Sequence, residues 1–191
     1  MAPLVFDIET KNTFFDVGEN DPAKLDISVV CIYDFATNAM KSFQEHELKD
    51  LWPYIENADA LIGYNSDHFD IPLLNKYYAG DLTKIKSIDL MKTIQKSLGR
   101  RIKLQDVASA TLGVSKSGQG LDAITWWKEG AIDKIIEYCL KDVSITRDLY
   151  NHMKTNKKVS IPDGSSTYQI DLDISDWEIT DASKLTHAMP W

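Results

Sequence analysis

The sequence predicts an α/β fold built on a mixed sheet, an antiparallel meander followed by parallel strands, with helices on its flanks. Three observations lead there. Short runs rich in β-branched and aromatic residues occupy 3–8, 27–36 and 39–43. A further apolar run, 60–64, follows a helical stretch, and beyond residue 85 the apolar spacing turns helical.

In chain order, Pro3-Leu-Val-Phe-Asp-Ile8 and Ile27 to Ala36 are bounded by polar or turn residues and predict two strands. Thr37-Asn38 supplies a turn into a third strand, Ala39 to Phe43, completing a meander before a helix around residues 46–57. Ala60-Leu-Ile-Gly-Tyr64 reads as a buried strand reached by a parallel crossover. Ile71 to Tyr78 reads as a helix with Pro72 in its first turn, where a missing N–H is harmless. Helices follow at 89–98, 103–112, 121–129 and 131–151. In the last, Ile132, Ile135, Ile136, Cys139, Val143, Thr146 and Tyr150 form one apolar stripe. From Val159 to Ile174 a Pro-Asp-Gly turn separates two possible strands, and a loose polar tail runs from Asp176 to Trp191. The predicted division is a domain of residues 1–158 and a hairpin with tail over 159–191.

At 191 residues and 43% hydrophobic content, the chain can bury one sizeable core. No stretch approaches the roughly 20 unbroken apolar residues of a membrane span, and Met1 leads into a strand without a signal-peptide pattern. A soluble, cytoplasmic protein is expected, without membrane partners. Cys31 and Cys139 sit in apolar periodic segments and are expected to be buried, reduced thiols. The net charge of −8 opposes phosphate binding, but it is unevenly spread: residues 1–80 carry −9, 81–158 carry +6 and 159–191 carry −5. Lys92, Lys96, Arg100, Arg101 and Lys103 in the middle segment either follow a phosphate backbone or form a solvated helix face and loop.

Asp7 and Glu9 close the first strand, and period-two alternation turns both carboxylates to one face. Two such anions repel unless a hard divalent cation lies between them. Asp-x-Glu alone is weak: 21 Asp and 8 Glu give about one chance occurrence, and Asp176 with Glu178 is a second copy. Asn65-Ser-Asp-His-Phe-Asp70 follows the strand ending at Tyr64, so Asp70 can meet the first pair at the strand ends. The bland alternative has Asn65 or Asp67 capping the helix, a role that suits Asp67 better than Asp70. Tyr138 and Asp142 stand four residues apart on one face of the long helix. Tyr77 and Asp81 share that spacing but straddle Gly80 at a helix end.

In this order, an Asp-x-Glu on the first strand, an Asn-x-x-x-Phe-Asp after a later strand and a Tyr-x-x-x-Asp in a late helix resemble the three motifs of the DEDD (DnaQ-like) 3′-5′ exonuclease superfamily. Glu137 stands where the histidine subclass has its histidine, so the tyrosine subclass fits better. Ile88-Asp-Leu90 and Lys103-Leu-Gln-Asp-Val-Ala108 are further similar to YprB-like exonucleases. The resemblance spans roughly residues 4–150 and implies a ribonuclease H-like fold.

It also implies hydrolysis of phosphodiester bonds at the end of single-stranded DNA or RNA with two divalent cations, Mg²⁺ or Mn²⁺, one activating water and both stabilising the attacking and leaving oxygens. Asp7 is then expected on both ions, Glu9 and Asp142 on the nucleophile side and Asp70 on the leaving-group side. Tyr138 is expected to orient the attacking water, since a phenol is a poor base at neutral pH. The same carry-over sets Thr10, Asn65 and Phe69 near the terminal nucleotide. His68 is read as a surface or capping residue, Gly118-Gln-Gly120 as no phosphate cradle, and Trp126 and Trp127 as packing residues. The rivals are an endonuclease on the same fold and a pseudo-nuclease that binds nucleic acid within a larger complex. A domain of a replication, repair or RNA-processing machine is also compatible with the sequence.

Overall fold

The computed structural model describes residues 2–114 and 120–178. Strand β1 (Ala2–Thr10) leads into a one-turn helix, α1 (Phe14–Val17), and then to β2 (Ile27–Asp34) and β3 (Ala39–Gln44). Helix α2 (Leu48–Glu56) carries the chain to β4 (Ala58–Gly63), followed by α3 (Asp70–Asn75) and the short β5 (Ser87–Asp89). Helices α4 (Leu90–Leu98), α5 (Leu104–Leu112), α6 (Gly120–Glu129) and α7 (Ile132–Asn156) come next, and β6 (Lys158–Asp163) and β7 (Ser166–Asp171) form a separate hairpin.

The five-stranded sheet has the order β3-β2-β1-β4-β5. β1 pairs antiparallel with β2 and parallel with β4, so the predicted mixed sheet is the one observed. The meander turns at Asn38, whose positive φ of 55° suits an amide side chain in the left-handed region. The α2 crossover carries the chain past β2 and β1 to the far side of β1.

Alternation along β1 divides the core. Leu4, Phe6 and Ile8 face one side with Leu51 and Ile55 of α2 and Leu73 and Leu74 of α3. Val5 faces the other, with Ile94 of α4, Val107 of α5, Ala123 of α6 and Ile135, Cys139 and Val143 of α7. Both faces being covered, β2 is buried along nearly its whole length and reads as a continuous apolar run rather than an alternation. Cys31 and Cys139 are buried free thiols.

Several boundaries depart from expectation. The helix expected to reach Tyr78 ends at Asn75: Lys76 and Tyr77 close on carbonyls three residues back, and the Asn75 amide oxygen accepts the Leu82 N–H at 2.8 Å. β5 is too short to show a period, and Asp89, expected inside a helix, caps α4 by accepting the Lys92 N–H. α1 is announced only by its capping box, in which Thr13 and Asp16 exchange hydrogen bonds. The tail is not loose from Asp176. A turn of 3₁₀ helix, Ser175–Trp177, buries Trp177 against Tyr150, ring centroids 5.3 Å apart, and Asp176 pairs with Lys96 at 2.8 Å. Residues 179–191 of that tail, and Gly118-Gln119, lie outside the described residues. No helix among the described residues is long and apolar enough to cross a membrane.

Candidate metal centre

β1 aims Asp7 and Glu9 toward the face that α7 covers, the face of Val5. One turn apart on α7, Tyr138 and Asp142 meet them there. Carboxylate oxygens of Asp7, Glu9 and Asp142 lie within 4.8 Å of one another. Cys139, between the two α7 residues, points its Sγ at the Asp7 carbonyl from 3.4 Å and so fastens helix to strand.

Asp70 arrives from the opposite layer, as the first residue of α3. Its loop depends on Gly63 at the end of β4: a Cβ there would stand 2.4 Å from the Ser66 Cβ. The bare glycine lets Ser66 fold back, Asn65 takes a φ of 65°, and the Ser66 carbonyl accepts the Ile71 N–H at 2.9 Å. Asp89 holds this loop from outside, accepting the N–H groups of Asn65 at 2.9 Å and Asp67 at 3.2 Å. The alternative in which Asp67 caps the helix is overturned. Its carboxylate takes the Ser87 hydroxyl at 2.5 Å and Lys92 at 2.8 Å, while the residue before α3, Phe69, makes no side-chain cap.

All eight residues singled out from the sequence line one cavity of about 350 Å³: Asp7, Glu9, Asp70, Tyr138 and Asp142, with Thr10, Asn65 and Phe69. Asp70 is outside the close triad but near enough for its charge to act on Asp7 and Glu9. Phe69 meets Phe14 edge-on at 6.0 Å, and His68 is exposed. Trp126 packs edge-on against Tyr138, and Trp127 lies under the Lys11 ammonium, both packed against the core. No sequence pattern marks Phe14 and Ile124 as cavity residues. Gln105, which the sequence offers only as part of the resemblance over residues 103–108, donates from Nε2 to Asp142 Oδ1 at 3.1 Å.

Without a cation the site is electrostatically frustrated. Burial first, then the neighbouring carboxylates, push Asp7 and Glu9 well above the usual carboxylate range. Burial likewise raises Asp70 to about 7. Asp142 rises to about 6, held back by hydrogen bonds from Tyr138 and Gln105. Burial and the adjacent anions drive the Tyr138 phenol further up, so it stays protonated at neutral pH. An all-oxygen set in mutual repulsion fits a hard divalent cation, and it offers no thiolate or imidazole for a softer one.

An α/β fold with a mixed sheet and carboxylates gathered at the ends of β1 and β4 is the architecture of the ribonuclease H-like class. The chain belongs to the RNase_H superfamily, whose profile matches residues 4–154. Among solved structures it is similar to the family B DNA polymerase from the hyperthermophilic archaeon Pyrobaculum calidifontis, with a TM-score of 0.61 and 19% identity. That match covers 79% of this chain and 24% of the polymerase, so the chain spans about a quarter of that protein's length. No curated protein matches the sequence.

Proposed function

We propose that the protein is a metal-dependent 3′-5′ exonuclease of the tyrosine subclass, acting in the cytoplasm on single-stranded DNA or RNA through residues 1–158. The observation that carries this reading is the convergence of Asp7, Glu9 and Asp142 within 4.8 Å, in one cavity with Asp70 and Tyr138. Two divalent ions, Mg²⁺ or Mn²⁺, would be held by these four carboxylates, Asp7 shared between them, Glu9 and Asp142 on one side and Asp70 on the other. Bound there, they supply Lewis-acid polarisation of the phosphate and lower the pKa of water.

The protein's own groups do the positioning. Tyr138, still protonated, donates to Asp142 and holds the attacking water in line. Thr10, Asn65 and Phe69 seat the terminal nucleotide. Water attacks phosphorus, the bond to the preceding 3′ oxygen breaks, and a nucleoside monophosphate leaves a strand shortened by one. The likeness to a family B DNA polymerase is compatible with work inside a larger replication or repair assembly.

The test is digestion of 5′-labelled single-stranded DNA and RNA, with free and blocked 3′ ends, in Mg²⁺, Mn²⁺ and EDTA. The expected result is a ladder that needs metal and a free 3′ end. A single internal cut would replace the proposal with an endonuclease. Strand binding without cleavage, unchanged in the Asp7→Ala, Asp142→Ala double variant, would replace it with a binding module.

A further inference from the structure

The five basic residues that crowd positions 92–103 fall into two groups. Lys92 and Lys96 are paired with Asp67 and Asp176, each at 2.8 Å. Arg100, Arg101 and Lys103 are exposed and form no ion pair with a described residue. They sit on the short connection between α4, closed by Gly99 with φ 79°, and α5, which opens at Leu104.

This connection is fixed against the acid cavity. The Tyr64 hydroxyl donates to the Ile102 carbonyl at 2.8 Å, and the Arg101 guanidinium donates to Asn65 Oδ1. On its surface lies a second cavity of about 410 Å³, walled by Tyr64, Asn65, Met91, Arg101, Lys103 and Leu104. Tyr64 and Asn65 also line the acid cavity, so the two cavities adjoin and share these side chains as a common wall. The first gathers carboxylates; the second offers an apolar floor, an aromatic ring and the exposed positive charges of Arg101 and Lys103.

Resting on the exonuclease reading, we infer that this groove is the track of the single strand as it leaves the scissile end, with Arg101 and Lys103 gripping the phosphates behind the terminal nucleotide. The chain is net negative, and cations in the acid cavity would serve only the scissile phosphate, so the rest of the strand needs a local cationic site to enter in one orientation. Arg101 is suited to it: Asn65 holds one edge of the fork, leaving the other donors for a phosphate oxygen. The apolar floor of Met91 and Leu104 favours base contact without sequence readout.

The test compares the full-length protein with Arg101→Gln, which keeps a donor for Asn65, with Lys103→Gln, with the pair, and with Lys96→Gln. Fluorescence anisotropy of 5′-labelled dT2, dT4 and dT8 is measured in EDTA and in Ca²⁺, over a range of salt. Digestion kinetics are followed in Mg²⁺. The double variant should bind dT8 roughly 10-fold or more weakly, and its log-log salt slope should fall by about 0.7 for each phosphate that is no longer neutralised. KM should rise with kcat changed less than KM, and dT2 binding should weaken less than dT8 binding. Lys96→Gln should match the parent. Equal salt slopes and equal KM in parent and double variant would overturn the groove. If the parent binds dT8 with the expected slope yet digests neither it nor the matched RNA, the exonuclease reading fails while the groove stands.

Discussion

Gln105 Nε2 donates to Asp142 Oδ1 at 3.1 Å, so a neutral amide on α5 orients the carboxylate that α7 contributes to the triad. The bond also stabilises the ionised form of Asp142, the form a cation requires. Gln105→Ala is expected to raise the half-saturating Mn²⁺ concentration about 10-fold or more, with a smaller change in kcat at saturating metal. Asp142→Asn should not be rescued by metal at all. A metal titration of digestion rate checks both, and an unchanged half-saturation would show that the amide is only packing.

The raised carboxylates give the metal-free protein an inverted pH response. In the unfolded chain these groups ionise near ~4, whereas in the folded protein Asp142 holds its proton to about 6 and Asp70 to about 7. Between these limits the folded state binds more protons, so stability is greatest below the unfolded values and is lost as pH rises through the folded ones. In EDTA the Tm should therefore fall from pH 5 to pH 8. Mn²⁺ should raise it more at pH 8, and Asp142→Asn should raise it by about 5 °C at pH 8 in EDTA. A Tm that climbs across this window without metal would contradict the frustrated cluster.

Local rules expose the acids and miss what holds them. Asp7 with Glu9 follow from the two-residue period of a strand, and Tyr138 with Asp142 from the four-residue period of a helix, so their shared faces are legible in the sequence. The sheet follows from apolar patterning for the same reason. Asp67 escapes a capping rule because that rule looks a few residues ahead, while its partners Ser87 and Lys92 are 20 and 25 residues away. Gln105 is 37 residues from Asp142, and nothing in the sequence between them records the contact. Strands as short as β5 and helices as short as α1 lack the length to show a period at all.

Tyr138 tests the division between positioning and proton transfer. Its phenol is held protonated by burial and by the anions around it, and its one proton goes to Asp142, leaving the oxygen lone pairs to accept from the attacking water. Tyr138→Phe removes the hydroxyl and keeps the ring that meets Trp126. The expected loss is roughly 10- to 100-fold in kcat, toward the low end of what a proton-transferring group contributes. Metal half-saturation should move little, and the pH profile of kcat should keep its shape. Loss of an alkaline limb in the variant would instead identify Tyr138 as an acid or base.

Gly63 sets the loop that presents Asp70, and a single methyl group tests this. In Gly63→Ala the new Cβ would lie 2.4 Å from the Ser66 Cβ and 2.6 Å from its Oγ, distances no packing tolerates. Ser66 is fully buried under the loop and cannot swing into solvent, so the loop must lift. The strain should cost about 1–3 kcal/mol, lowering Tm by several degrees, and should carry Asn65 and Asp70 away from the triad. Activity at 20 °C, where the variant stays folded, should fall by more than the drop in Tm explains. Removing the obstructing side chain separates this from general damage: Ser66→Gly combined with Gly63→Ala should recover part of both effects, with a coupling of about 1 kcal/mol or more. Strictly additive effects would mean that Gly63 matters for β4 alone and that the placement of Asp70 does not depend on it.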